Sequence, residues 1–312
     1  MNNKEKRICG LVVTYNRLGL LKECLQAILQ QTRPVDKLLV VDNCSTDGTA
    51  AWLTEFAQRH PVCEVLRLQE NMGGAGGFAA GVKAAVLGGA DYTWLMDDDT
   101  IASPQALEKL LDLAEEKQAG FVCSKVLWTD GNLHPRNLPG GKMRPLHKGD
   151  QVDSYQVTCQ CELATFVSVL IPSHVVYRVG LPIKEFFIWC DDVEYTTRIS
   201  EAGYTNYYCA ESEVVHKTGE VGSYSVADAL PSMAPRFFYQ VRNQCYLKHR
   251  HIHNKLRFRL WAWNKLRLML HRVNKRTDGH KAEFLDAVMR GYRAGLTFYP
   301  EIEYITPPNG RR

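Results

Sequence analysis

Hydrophobic positions in the first hundred residues follow two alternating patterns. Residues 8–14, ICGLVVT, are a short apolar run with a polar end, and Leu18, Leu21, Leu25, Ile28 and Leu29 then recur every three or four residues. The run predicts a buried strand and the recurrence an amphipathic helix. LLVVDN after Pro34 repeats the strand pattern and ends at Asp42, and the turn Ser45-Thr46-Asp47-Gly48 leads into a helix carrying Trp52, Leu53 and Phe56. CEVLRLQ and YTWLMDDD supply a third and a fourth strand. Strands alternating with helices, with polar residues gathered at strand C-termini, predict an α/β fold. It is a Rossmann-like, doubly wound, mainly parallel sheet with its ligand beyond those ends.

After Pro104 a helical pattern (Leu107, Leu110, Leu111, Ala114) leads to Gly120 and the strand FVCSKVLW. Residues 129–158, rich in Gly, Pro and His, read as a long loop with a hairpin and are a candidate acceptor-side flap. Regular structure resumes with ATFVSVLIP and FFIWCDDVEYTTRISEAGY, and from about residue 236 the chain is mainly helical. The expected organisation is a catalytic domain over 1–235 and a helical C-terminal extension over 236–312.

Composition changes this picture in two places. The opening MNNKEKRICGLVVTYN has no apolar leader core, and no stretch reaches the ~20 apolar residues of a membrane span. A cytoplasmic protein is expected, with peripheral attachment at the inner membrane face left open. Ten cysteines are scattered without a C-x-x-C pair, which predicts reduced, mostly buried thiols. Charge is uneven: 12 Lys/Arg and no Asp/Glu lie between Arg236 and Arg276, against 26 basic and 34 acidic residues elsewhere.

The chemistry-bearing residues sit where strands end. Asp97, Asp98 and Asp99 directly follow an apolar strand, and three crowded carboxylates need a counter-charge. A divalent cation, Mn²⁺ or Mg²⁺, bridging to a diphosphate supplies it. The plainer reading is a helix cap, with Asp99 or Ser103 before Pro104, and Ser103 is expected to cap. Thr14 and Asp42 face the same crevice and suit contacts to a ribose or base edge, or else ordinary turn chemistry. Asn71-Met72-Gly73-Gly74-Ala75-Gly76-Gly77-Phe78 opens a helix after the third strand. Its glycines either let the backbone approach a diphosphate or pack the helix on the sheet. In Trp189-Cys190-Asp191-Asp192-Val193-Glu194, Asp191 and Glu194 fit a capping box with a Glu194–Arg198 pair, which leaves Asp192 free to take a proton. His216 is either a metal ligand or a partly buried histidine.

Taken together, VVTYNR (12–17), VVDNCSTDGT (40–49), ENMGGAGGFAAG (70–81), MDDD (96–99), WCDDVEY (189–195) and VVHKTG (214–219) resemble family 2 glycosyltransferases of the GT-A fold in order and spacing. The NMGGAGGF loop, the triple aspartate and the tryptophan before Asp-Asp are similar to the bacterial galactofuranosyltransferases that use UDP-galactofuranose. That resemblance implies an inverting, metal-dependent transfer to a glycan hydroxyl. It implies Thr14, Asp42, Asn71, Gly73, Gly74, Asp97 and Asp98 on the nucleotide sugar, and Asp97, Asp99 and His216 on the metal. Asp192 would be the general base, with Trp189 and Asp191 lining the acceptor. The chain lacks the large extra terminal domains of the polymerising enzyme, so addition of one or a few residues is expected.

In the basic segment Ile252, Leu256, Leu260, Trp263, Leu266, Leu270 and Val273 recur at helical spacing among Lys and Arg. Such a helix either lies on an anionic membrane through residues 236–276, where a lipid-linked acceptor would reside, or packs on the domain or in an oligomer interface. No nucleic-acid-binding module is recognisable. Rival functions are a rhamnosyl- or other hexosyltransferase of the same fold, and a non-catalytic sugar-nucleotide-binding subunit. A nucleotidyltransferase is disfavoured because its glycine-rich Arg-Lys loop after the first strand is missing.

Overall fold

A computed structural model describes residues 6–219 and 225–307. Residues 1–5 and, within the expected C-terminal extension, 308–312 lie outside the described residues. The chain forms two compact units, one of residues 1–184, 192–218 and 302–312, the other of 185–191 and 219–301.

The first unit begins with β1 (Ile8–Thr14), α1 (Leu18–Leu29), β2 (Lys37–Asp42), α2 (Thr49–Arg59), β3 (Cys63–Arg67), α3 (Gly73–Leu87) and β4 (Tyr92–Asp97). It continues with β5 (Thr100–Ala102), α4 (Ala106–Lys117), β6 (Val122–Leu127), β7 (Arg144–Pro145), β8 (Cys159–Cys161) and β9 (Val169–Pro172). Last come α5 (Ser173–Val179), α6 (Asp191–Glu201) and β10 (Asn206–His216). The strands join in one sheet of order β3-β2-β1-β4-β9-β6-β10-β8-β7, with β5 on β10. β3, β2, β1 and β4 are parallel, and β9 runs antiparallel between β4 and β6.

Successive residues of each central strand point to opposite faces, and both faces are covered by helices, which is why these strands read as unbroken apolar runs. Ile8, Val12, Leu38, Val40, Trp94 and Met96 pack with Leu21 and Leu25 of α1, Leu53 of α2 and Leu107 of α4. Cys9, Leu11, Val13, Leu39, Val41 and Leu95 pack with Phe78 and Val82 of α3, Val176 of α5 and Ile199 of α6. All ten thiols are free, and most are buried.

The cap expected from Ser103 is made differently. α4 starts at Ala106 with no side-chain bond from its own N-cap residue, and Gln31 beyond α1 accepts from Leu107 N at 3.0 Å while donating to Ser103 O at 2.8 Å. A glutamine distant in sequence thus satisfies an orphan donor of the helix end.

The second unit holds α7 (Ala234–His249), α8 (Lys255–Val273) and α9 (Lys281–Gly295) around a core of Phe237, Val241, Leu266, Met269, Val273, Phe284 and Val288. Buried Arg276 donates to Val226 O and Ala229 O and lies 3.7 Å from the Phe284 ring centroid. Residue 235, the expected junction, falls in the first turn of α7, and segment 185–191 belongs with these helices.

Candidate active site

Strand register gathers the first group of side chains. Thr14 lies opposite Asp42 where β1 and β2 end, and Val13 lies opposite Asp97 where β4 ends. Connections leave β1 toward β2 on one side and reach β4 on the other, so this edge is a topological switch point, where α/β sheets bind ligands.

Past β4 the chain turns through Asp98 and Asp99 into the three-residue β5, which pairs antiparallel with the end of β10 and sets Thr100 opposite His216. β10 reaches this position through a register shift between Cys209 and Glu213, where buried Ser212 bonds Ser124 Oγ at 2.7 Å and donates to Ala106 O at 2.9 Å. The irregularity re-aims the strand end. In consequence Asp97, Asp99 and His216 each present one ligand atom, all within 4.8 Å of one another.

Asp99 and His216 are buried, and Asp97 is partly exposed. His216 Nε2 lies 2.9 Å from Asp99 Oδ1 and 4.0 Å from Asp97 Oδ2, and the side chains of Asp99 and Asp97 are 2% and 42% exposed. Burial would raise Asp99, but His216 and Arg17 outweigh it and hold its pKa below the ordinary carboxylate value. Two carboxylate oxygens and an imidazole nitrogen, with one ligand facing outward, fit a Mn²⁺- or Mg²⁺-type ion that keeps positions for phosphate oxygens and water.

A surrounding layer orients these groups. His216 Nδ1 faces Asn137 Oδ1 at 2.9 Å, and Asn137 Nδ2 donates to Thr165 Oγ1 at 2.9 Å, which fixes the amide with its oxygen toward the ring. Nδ1 is then a donor, which leaves Nε2, 2.9 Å from Asp99 Oδ1, as the ring nitrogen that a cation beside the acidic pair would take. The His134 ring lies 5.0 Å from His216 and bonds Thr218 Oγ1. Burial, then His216, pushes the His134 pKa down to about 4. Arg17 Nη1 donates to Asp99 Oδ2 at 2.6 Å and sits 3.4 Å from Asp98 Oδ1.

The other strand-end and loop residues divide. The buried Thr14 hydroxyl donates to Asp98 Oδ2 at 2.7 Å, and burial raises Asp98 to about 6 against the pull of Arg17. Asp42 is wholly buried. Its Oδ1 accepts from Ser45 N at 2.9 Å, and its Oδ2 has no hydrogen-bond partner, with Arg67 Nε at 3.6 Å. An orphaned buried acceptor is costly without a donor, so this oxygen suits an incoming N–H or O–H.

Asn71 Oδ1 accepts from Gly73 N, and Asn43 clasps the same loop by donating to Gly73 O and accepting from Met72 N, each at 2.9 Å. Gly73 has φ +69°, and a Cβ on Gly74 would meet nothing. Gly77 and Gly81 serve packing instead: a Cβ there would lie 2.4 Å from Val13 Cγ1 and from Leu11 Cδ1. The loop is therefore open at its start and close-packed further on, where its glycines pack the helix on the sheet.

Asp192 lies in the first turn of α6, accepts from Val193 N at 2.7 Å, and is raised by burial to about 6. Glu194 and Arg198 form the expected pair, at 3.0 and 2.7 Å, and Arg198 also donates to Val179 O and Leu181 O. Trp189 and Asp191 belong to the second unit, where Trp189 packs edge-on to Phe237. Phe187, Trp189 and Cys190 all have φ between 64° and 69°, a strained backbone for such residues. Buried Asn243 of α7 holds it by donating to the carbonyls of Phe186, Ile188 and Trp189 at 2.8–3.2 Å.

A doubly wound sheet whose switch point carries a strand-end aspartate and an acid–histidine cluster defines the GT-A class of glycosyltransferase. The chain belongs to glycosyl transferase family 2, whose sequence model matches residues 11–177. It is 29% identical over 252 residues to galactofuranosyltransferase GlfT1 of Mycolicibacterium smegmatis, covering 77% of this chain and 82% of that one. With GlfT1 of Mycobacterium tuberculosis it shares 30% identity over 220 residues, 68% and 70% of the two chains. Among solved structures, GalNAc-T7 with UDP, GalNAc and Mn²⁺ aligns at a TM-score of 0.57 with 14% identity, over 75% of this chain and 48% of that one. Residues 1–349 of S. aureus TarS align at 0.53 with 14% identity, over 92% and 71%. These likenesses establish the fold, and family membership makes the protein a glycosyltransferase.

Proposed function

We propose that this protein is an inverting, divalent-metal-dependent galactofuranosyltransferase that moves galactofuranose from UDP-galactofuranose to a hydroxyl of a lipid-linked cell-surface glycan. The observation that carries the reading is the Asp97–Asp99–His216 cluster, whose three ligand atoms lie within 4.8 Å at the switch point. Similarity to the two GlfT1 proteins supports the choice of donor.

In this reading Asp42 Oδ2 accepts from the uracil or ribose, while Asp97, Asp98 and the start of the Asn71–Gly74 loop bind the sugar diphosphate. A bound Mn²⁺ or Mg²⁺ held by Asp97, Asp99 and His216 supplies positive charge to the departing diphosphate. Asp192 takes the acceptor hydroxyl proton as that oxygen bonds to the anomeric carbon and the bond from this carbon to the diphosphate oxygen breaks, so UDP leaves and the configuration inverts. A carboxylate raised to about 6 is a stronger base than an ordinary aspartate and is still largely ionised at neutral pH. Trp189 and Asp191 line the acceptor.

Incubation with Mn²⁺, a panel of UDP-galactofuranose, UDP-galactopyranose and dTDP-rhamnose, and candidate glycolipid acceptors tests this, with products read by mass spectrometry. Transfer from UDP-galactofuranose that stops on chelation is expected. Transfer from another donor alone would replace the sugar assignment, and metal-dependent UDP binding without transfer from any donor would make the protein a binding subunit.

A further inference from the structure

Helix α8 has two apolar faces. Phe258, Ala262, Leu266, Met269 and Val273 are buried, and three of them, Leu266, Met269 and Val273, belong to the core of the second unit. The other face carries Leu256, Leu260 and Trp263, which are 68, 58 and 51% exposed, while Leu268, 53% exposed, lies off both stripes. Leu256, Leu260 and Trp263 follow one another at steps of four and three and so share one side of the helix, away from the buried stripe. Single exposed apolar side chains are ordinary on a protein surface, whereas a row of large ones marks an interaction site.

Charge identifies the occupant. From Lys255 to Val273 the helix carries six Lys/Arg and no Asp/Glu. Arg257, Arg259, Arg267 and Arg272 are exposed, and the Arg267 guanidinium lies 4.8 Å from the Trp263 ring centroid. We propose that this face of α8 docks on an anionic lipid bilayer, with Leu256, Leu260 and Trp263 inserted at the headgroup boundary and the arginines on lipid phosphates. A tryptophan beside arginines with leucines behind is what the interface between water and hydrocarbon accommodates. Among the described residues no helix is long and apolar enough to cross a membrane, so α8 lies on the surface. A second copy is a poorer occupant, because a twofold contact would set the same cationic faces against each other with no acid on α8 to pair them. The surface is defined by the helix itself and holds whatever sugar the first unit transfers.

The test is flotation of the full-length protein with vesicles of pure phosphatidylcholine or of phosphatidylcholine mixed with phosphatidylglycerol. Wild type is expected to float with the mixed vesicles only, and less so as salt rises. Combining Leu256→Ser, Leu260→Ser and Trp263→Ser is expected to abolish flotation while the cooperative thermal transition and metal-dependent UDP affinity persist. Arg257→Glu with Arg267→Glu is expected to weaken vesicle binding at least about tenfold. The proposal is overturned if wild type ignores phosphatidylglycerol, if the triple variant floats as wild type does, or if the triple substitution instead dissolves a concentration-dependent dimer seen by light scattering. Failure of the donor assignment would leave flotation unchanged, so the two outcomes separate.

Discussion

Asn137→Ala tests how the proposed metal site is oriented. Asn137 is half-buried and makes two side-chain bonds, to His216 Nδ1 and Thr165 Oγ1, both at 2.9 Å. Losing a neutral bond of this kind costs the fold about 1 kcal/mol, so the variant should remain folded. What changes is the imidazole: without an acceptor at Nδ1 it can carry its proton on Nε2, the nitrogen 2.9 Å from Asp99 Oδ1 and the one a cation needs. Outer partners of this type govern metal affinity by about 10- to 100-fold, or roughly 1.4–2.7 kcal/mol. Calorimetric titration of Mn²⁺ at saturating UDP should show that loss for Asn137→Ala and no loss for Asn137→Asp, whose carboxylate accepts from Nδ1 more strongly. Unchanged Mn²⁺ affinity in Asn137→Ala, or equal weakening in both variants, would refute the orienting role.

Two further predictions bear on the proton and on the glycine loop. Asp192→Asn should abolish transfer while leaving UDP affinity intact. Because the base works only when deprotonated, wild-type kcat/KM should fall about tenfold for each pH unit below about 6 and be flat above it; normal turnover by the variant would remove Asp192 from the mechanism. Gly77→Ala forces a Cβ to 2.4 Å from Val13 and should cost about 1–3 kcal/mol in urea denaturation. Gly74→Ala enters open space in a helix and should stabilise by up to about 1 kcal/mol. A matching loss of UDP-sugar affinity in the stable Gly74 variant alone would mark the backbone there as the part a ligand approaches.

The doubly wound half was legible because its physics is local. Each central strand is buried on both faces, so β1, β2 and β4 announce themselves as apolar runs without reference to the rest of the chain. Elements formed by distant partners were not legible. β5 is three residues long and exists because Val214, Val215 and His216 pair with it, and the cap of α4 comes from Gln31. The periodicity of α8 predicts a single apolar face, whereas the structure divides it in two: Leu266 and Val273 are buried, and Leu256, Leu260 and Trp263 are exposed. Spacings of three and four residues fix a face only when a neighbour decides which stripe is covered.

The same division runs through the site. Asp97, Asp99 and Asp42 were visible as carboxylates at the ends of apolar runs, where burial makes a charge expensive and therefore informative. Arg17 stood in view within the first motif, yet nothing local says that its guanidinium reaches across to Asp99. Asn137 lies in an aperiodic stretch of Gly, Pro and His, and Asn243 in a cationic helix; one uncharged amide in either setting carries no signal in one dimension. Each acts on a segment distant in sequence, Asn137 on His216 and Asn243 on the carbonyls of Phe186 to Trp189. Groups that meet the chemistry are recognisable from their own residue type, while groups that hold them in place are defined only by the partner they hold. For this chain the separation is concrete: the carboxylates of Asp97 and Asp99 come from one strand end, and it is β10, irregular between Cys209 and Glu213 where Ser212 bonds Ser124, that brings His216 to them.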